Sequence, residues 1–534
     1  MKKFLSLLLI VFACVHPAYS QQLHVDSTRF ITGYKPGTQI NYAIPTIDKG
    51  ILFVGYDINN PGGIIPNFPL DTVLYNVLIG NIDSNQKISW IKVYGGSQND
   101  QAMSACQTPD GGYAVLATSS SADGDVSGFK GANDLWLLRI DNSGNLLWEK
   151  TYGGPAGDQA TSIANTPDHG FILLGTSNGS GGDVPFHYGD GWTNDWILIK
   201  TDSSGNKEWC KDIGGTSDEQ YYGSILAVDN SYYLIGSSAS IDHDCIGDAW
   251  HSWTALNYDY HLLNLDAAGN VLWDSTYGGS ADDIAVNALY DTKDSTIVIT
   301  GSSMSLDYMV TNNHGNKDIW GVKVNKNGTM KWEKSLGSQN EEVGTGICET
   351  SNDGYIFYGN THNGTIGLEN LWLFILDNEG NEITNKTFGG IPKVVEISYS
   401  IVPYLGGYAT TGLSGADAFT EGTTYGNFDH GGSFITYIDY WPLGVNNVPS
   451  SKGITITIYP NPTSLYVKIN LPSQINEQGI LTITNSIGQK FYEKQISQKE
   501  QSIDINTDSW AKGFYIVRWQ GADGQLLTAK LVNN

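Results

Sequence analysis

The sequence predicts an all-β chain, and three observations predict it. A Gly doublet or its near-variant follows an apolar or aromatic residue at Tyr94-Gly95-Gly96, Tyr152-Gly153-Gly154, Ile213-Gly214-Gly215, Tyr277-Gly278-Gly279, Leu336-Gly337-Ser338 and Phe388-Gly389-Gly390, at spacings of 58, 61, 64, 59 and 52 residues. Each interval holds four strand-like runs separated by turn residues. Helical periodicity is absent. Four strands per ~60 residues at a near-constant period is the pattern of a β-propeller blade.

The unit beginning at Gly95 shows the order of elements. Gln101 to Thr108 reads as a strand, and Pro109-Asp110-Gly111-Gly112 as a tight turn, since glycine supplies positive φ. Tyr113 to Thr118 is a second strand, Ser119 to Asn133 a polar loop, and Asp134 to Ile140 a third strand. Asp141-Asn142-Ser143-Gly144-Asn145 is a hairpin turn leading into a fourth strand, Leu146 to Tyr152. An earlier unit starts at Gln39. The last one supplies strands at Val394 to Val402, Tyr408 to Gly412 and Ser433 to Tyr440, then breaks at Trp441-Pro442-Leu443 without a fourth. Thr28 to Tyr34 reads as an orphan fourth strand that completes this last blade and hides its edge. The count is seven blades, with eight as the alternative.

Before the repeats, Met1-Lys2-Lys3, an apolar run from Phe4 to Val15 and Ala18-Tyr19-Ser20 form a signal peptide over 1–20. Lipidation at Cys14 is the rival reading, although bulky Phe12 stands where a small residue is wanted. No later run reaches the ~20 apolar residues of a transmembrane helix. The propeller is expected over 21–445, a linker over 446–453 and a small antiparallel sandwich over 454–534. In that last region Tyr459-Pro460-Asn461-Pro462, Gly488 after Asn485-Ser486-Ile487, the Gly513-Phe514-Tyr515 strand and Lys530 in the final strand occur in a recognisable order. The region resembles the type A C-terminal sorting domain of the type IX (Por) secretion system. That resemblance implies export across an outer membrane, recognition by the translocon and removal by a sortase-like peptidase.

Composition narrows the functional classes. Lys+Arg 29 against Asp+Glu 55 gives a net charge of −26, without the basic stripe that nucleic acid requires. Trp 15 and Tyr 30 exclude a disordered chain. Beyond Cys14 the cysteines Cys106, Cys210, Cys245 and Cys348 are far apart, signalling neither a zinc site nor a disulfide framework. Trp90, Trp148, Trp209, Trp273 and Trp332 share one repeat position, and Trp136, Trp196, Trp320 and Trp372 another. Recurrence in every blade points to packing.

Two groups are candidate sites. Asp100, Asp158, Glu219, Asp283 and Glu342 recur six residues past each repeat start, where the first and last units carry Ile40 and Val394. With the loop acids Asp123 and Asp125 they are expected to ring the axial channel on one face and could bind Ca²⁺. Turn capping in an acidic secreted protein is the other reading. The second group is aromatic: His187, Tyr188 and Trp192 in one loop, then Trp250, Trp253 and Tyr258 in the next. Exposed aromatics beside Asp, Asn and Gly suit a glycan or protein ligand, unless the loops fold back over them. No catalytic motif stands out, so catalysis is not predicted. A carbohydrate-active hydrolase or lyase using the acidic face is the alternative to a binding module.

Overall fold

The structure, a computed structural model, describes residues 22–30, 38–59, 74–245, 257–350, 353–362, 369–388, 396–404, 407–414, 432–441, 456–459, 466–471, 478–485, 490–497, 502–510, 513–521 and 526–533. The expected signal peptide and linker lie outside these residues. The chain divides into two compact units, one spanning Leu23–Tyr440 and the other containing Trp441–Asn534.

Among the described residues the larger unit holds seven four-stranded sheets. In six of them the strands stand side by side in chain order. In the seventh the order is Gln22–Phe30, Gly432–Trp441, Gly407–Ser414 and Glu396–Tyr404, so its outer strand comes from the start of the chain. That strand begins six residues before Thr28, because alternation already runs through Leu23 and Val25. Residues 31–34 lie outside the described residues.

The first strands of the sheets are Gln39–Pro45, Asp100–Gln107, Asp158–Asn165, Ser224–Val228, Asp283–Asp291, Glu341–Glu349 and Glu396–Tyr404. Each packs against the next, and the seventh packs against the first. A closed ring of sheets with its first strands innermost is a β-propeller. Apolar side chains fill the spaces between neighbouring sheets. Leu52, Val54, Ala102, Val115 and Trp136 form one such cluster, and Ile40, Phe53, Val402 and Ala409 form another that seals the junction of the last sheet with the first. The second and third strands lie between two layers of neighbours. Asp134–Ile140 is therefore buried at every position and reads as a continuous apolar run instead of an alternation.

Two local devices repeat around the ring. In the hairpin turn, Asp141 Oδ1 accepts hydrogen bonds from the Ser143 and Asn145 N–H groups at 2.9 and 2.8 Å, and Asn145 Nδ2 donates to Asp141 Oδ2 at 2.9 Å. The same bonds recur at Asp202, Asp266 and Asp377. The turn glycine is required twice over. Gly205 has φ 76°, and a Cβ there would stand 2.6 Å from the ring of Trp148 in the preceding sheet. The recurrent Trp and the recurrent turn are thus two halves of one inter-blade contact. Trp136, Trp196 and Trp320, by contrast, are wholly buried.

The second device is a β-bulge in the first strand. Pairing slips between Ile40 and Tyr42, Ala102 and Ser104, Ala160 and Ser162, Ala285 and Asn287, and Gly344 and Gly346. One extra residue per bulge is left out of the ladder and re-aimed.

The smaller unit contains a three-stranded sheet of Thr457–Tyr459, Tyr466–Asn470 and Ser502–Asn506, and a four-stranded sheet of Lys490–Ile496, Gly479–Asn485, Gly513–Gly521 and Leu526–Asn533. Val467, Ile469 and Ile503 from the first sheet share a core with Ile483, Val517 and Trp519 from the second, which makes it a sandwich.

Candidate functional site

The recurrent acids are not on an open face. Asp100, Asp158, Glu219, Asp283 and Glu342 are all fully buried. Each accepts the N–H of the second residue of the Gly doublet, as Asp100 does from Gly96 at 2.8 Å, Asp283 from Gly279 at 2.8 Å and Glu342 from Ser338 at 2.9 Å. Side-chain hydroxyls complete the cap: Ser121 on Asp100, Ser305 on Asp283 and Thr361 on Glu342. The doublet and the acid are therefore one structural device, which corrects the expectation of a channel-lining ring. Alternation along the strand could not reveal this, because the chain folds back at the doublet and covers the acid. The repeat phase also shifts at the ends. The residues aligned with Asp100 are Thr38 and Glu396, since the bulges lie at Asn41 and between Ser398 and Ser400.

Opposite each acid stands a residue from the start of the preceding sheet's third strand, the first residue in four sheets and the third residue of Leu74–Ile82 in the other. The pairs are Asn76 with Asp100, Asp134 with Asp158, Asp195 with Glu219, Asp259 with Asp283, and Asp318 with Glu342, closing around Gly95, Gly153, Gly214, Gly278 and Gly337. A Cβ on Gly153 would meet Asp158 Oδ2 at 2.3 Å and Asp134 Oδ1 at 2.6 Å. Burial, reinforced for Asp134 by the charge of Asp158, pushes the Asp134 carboxyl up to about 6. Burial also raises Asp158 to about 6. Asp123 and Asp125 are exposed and cap the same doublet from the loop, accepting from Ser97 N at 2.7 Å and Gly95 N at 3.1 Å. The seven acids are spread over five junctions and do not converge.

The loop aromatics separate. Trp192 is 90% exposed. Tyr188 folds back: its N–H donates to Asp195 at 2.7 Å, its hydroxyl to Asp244 at 3.1 Å, and its ring stacks on His243 at 4.3 Å. Burial and the Asp244 charge push its phenol up. His187 is buried beside it, 2.8 Å from Asp195. Tyr258 donates to Asp218 at 2.8 Å. Tyr188 and Tyr258 are thus tied back by carboxylates inside the loops, and the His187 side chain is turned inward beside them. Trp250 and Trp253 lie outside the described residues. Of the sorting motif, Tyr459 ends a strand, Gly513 opens one, Tyr515 is buried and Lys530 pairs in register with Ile516. Pro460, Asn461, Pro462 and Gly488 lie outside the described residues.

The axis of the ring holds a cavity of about 1120 Å³. The bulged residues Asn41, Met103, Thr161, Val286 and Thr345 all line it, so the bulges are what aim side chains inward. Each lies three residues beyond the repeat position of Asp100. In the fourth sheet that position is Tyr222, and it too lines the cavity beside Tyr221. The two tyrosines are 44% and 43% exposed, with ring centroids 4.3 Å apart and hydroxyls 3.1 Å apart. Across the lining, Tyr56 donates to Gln39 Oε1 at 2.7 Å, Gln39 donates to Asn41 Oδ1 at 2.9 Å, and Asn41 donates to the Ala102 carbonyl at 2.9 Å. These bonds hold the two side-chain amides Gln39 and Asn41 in place. Sequence reasoning missed this set. The available signal was the Tyr doublet at the repeat position otherwise held by Asn, Met, Thr or Val.

Residues 457–534 match the family described as secretion system C-terminal sorting domain. No curated protein matches the chain. Among solved structures, the chain is similar to Kuenenia stuttgartiensis hydrazine synthase (14% identity, 67% of this chain and 80% of that one, TM-score 0.38). It is similar to the β-propeller domain of the Trilobed protease from Pyrococcus furiosus (10% identity, 71% and 90%, TM-score 0.40). A third likeness is to the Neurospora crassa Pan2 WD40 domain (9% identity, 80% and 92%, TM-score 0.39). No helix among the described residues is long and apolar enough to cross a membrane. The chain is a β-propeller protein whose residues 457–534 are a secretion system C-terminal sorting domain, indicating export by the type IX system to the cell surface or the medium.

Proposed function

We propose that the exported propeller is a binding module that takes a glycan at the Tyr221–Tyr222 end of its axial cavity. The observation that carries this reading is the presence, on the wall of one cavity, of two half-exposed tyrosine rings and the pre-oriented amides Gln39 and Asn41. A sugar ring offers an apolar face for stacking and several hydroxyls for amide hydrogen bonds, and these are the two kinds of group on the cavity wall. The raised carboxyls Asp134 and Asp158 are closed inside a blade junction and are not part of the cavity wall, which favours binding over hydrolysis. Entry into the Sec pathway through residues 1–20 and removal of the sorting domain by a sortase-like peptidase complete the proposal. A glycan array tests it. Wild-type protein is expected to retain a set of glycans that Tyr221→Ala/Tyr222→Ala loses. Equal retention by the double variant would overturn the reading.

A further inference from the structure

One blade junction departs from the other four. In the fourth strand, the residue before the aromatic or apolar position is Val93, Thr151, Thr276 or Ser335 in neighbouring sheets, but Asp212 in the third. Asp212 is only 3% exposed and both of its carboxylate oxygens are buried without a hydrogen-bond donor. It adds a carboxylate to the pair Asp195 and Glu219, which are themselves fully buried around Gly214. At the same junction the loop after the second strand turns His187 inward. Its side chain is 6% exposed, its Nδ1 lies 2.8 Å from Asp195 Oδ2, and neither ring nitrogen makes a hydrogen bond. The lysines of this sheet engage other groups, Lys200 with Asp168 and Glu208, Lys207 with Asp183 and Lys211 with the Asn270 amide oxygen.

One ligand atom from each of His187, Asp195 and Asp212 falls within 4.8 Å of the others. We propose that these three side chains hold one divalent cation of the zinc type. An imidazole nitrogen with two carboxylate oxygens suits a borderline ion, whereas Ca²⁺ takes six to eight oxygens. Ligands of a tetrahedral ion with bonds of about 2.1 Å stand about 3.4 Å apart, so side-chain rotation closes the remaining distance. A dication balances carboxylates that otherwise face one another in a dry junction. Tyr188 orients the site, its N–H donating to the Asp195 oxygen at 2.7 Å while its side chain is held by Asp244. The ion would tie the 178–194 loop to the junction of the third and fourth sheets, making it a structural staple, separate from the axial cavity.

The test uses the full chain, stripped with a chelator and titrated with Zn²⁺ at pH 7.5 by calorimetry, beside Asp212→Thr and His187→Ala. Thr is the residue of two neighbouring sheets at this position, so Asp212→Thr retains the fold, and His187→Ala alters only a loop. Wild type is expected to take up one equivalent of Zn²⁺ at micromolar concentration or below. Its melting temperature should rise with added Zn²⁺, and both variants should bind at least tenfold more weakly and lose that rise. Metal-free Asp212→Thr should melt at or above metal-free wild type, because it deletes an uncompensated carboxylate. Absence of one-equivalent uptake, unchanged affinity in Asp212→Thr, or preference for Ca²⁺ over Zn²⁺ would overturn the assignment.

Discussion

Replacing Asp134 by Asn raises the stability of the propeller at neutral pH and leaves it unchanged in mild acid. Asp134 Oδ2 accepts the Lys130 N–H at 2.7 Å, while its Oδ1 is buried without a donor and faces Asp158 across Gly153. Folding lifts the Asp134 carboxyl from 3.8 to about 6. The penalty for the charged form is therefore absent below pH 3.8, grows as pH rises through about 6, and is complete above it. That gap corresponds to about 3 kcal/mol. An Asn side chain keeps the shape, still accepts from Lys130, and offers an N–H to Asp158. The first junction already carries a neutral amide opposite its acid, Asn76 across Gly95 from Asp100. A body of this size unfolds with an entropy of about 0.9 kcal/mol/K, so the gain appears as about 3 °C in Tm. The assay is calorimetric melting of wild type and Asp134→Asn at intervals from pH 4 to pH 8. The difference should be near zero at pH 4 and reach its full size by pH 8. A difference that does not vary with pH, or a variant that melts lower at pH 8, refutes the buried-pair reasoning.

Other expectations use the same contacts. Gly205→Ala forces an L side chain into φ 76° and against the Trp148 ring, so it should cost roughly 2–4 kcal/mol in a denaturation titration. Lys323 is fully buried, 2.7 Å from both Asp294 and the Tyr355 hydroxyl. Lys323→Ala removes the buried cation that lies 3.9 Å from Asp291 and 2.7 Å from Asp294, and should cost roughly 3–5 kcal/mol in the same assay. Lys323 and Thr296, outweighing burial, hold Asp294 at about 2. The stability this pair supplies is present above pH 3.8 and disappears as pH falls through about 2. Together with the junction carboxyls, it places the stability maximum at about pH 4–5, measurable as Tm against pH. Deleting residues 457–534 should leave the propeller in the periplasm of a type IX-competent host, as cell fractionation would show.

The repeat was legible because its parts are local. The Gly doublet, the Asp-x-x-Gly-Asn turn and the strand between them are specified by contacts a few residues apart, and their period exposes the ring. The C-terminal sandwich was legible for the same reason, and its motifs carried the family resemblance. Depth was not legible. Asp100 and its repeats look like solvent-facing acids, and only the fold-back at the doublet, with the neighbouring sheet's Asp or Asn opposite, shows them to be buried. Nor can alternation see a bulge, which moves Asn41, Met103 and Thr161 out of phase and toward the axis. His187 and Tyr188 misled in the same way, since a long loop buries its own aromatics when carboxylates such as Asp195 and Asp244 are within reach of it. Asp212 was visible as a departure from its repeat position, but its meaning depends on His187, which reaches it through a loop.

The claim that matters most is that the propeller binds through its axial mouth. Calorimetric titration of the strongest array glycan into wild type, Tyr221→Ala/Tyr222→Ala and Trp192→Ala tests it directly. The account predicts that the double tyrosine variant weakens binding by at least tenfold, while Trp192→Ala, on the outer loop, leaves it within twofold. The reverse order, with Trp192 essential and the tyrosines dispensable, would contradict it.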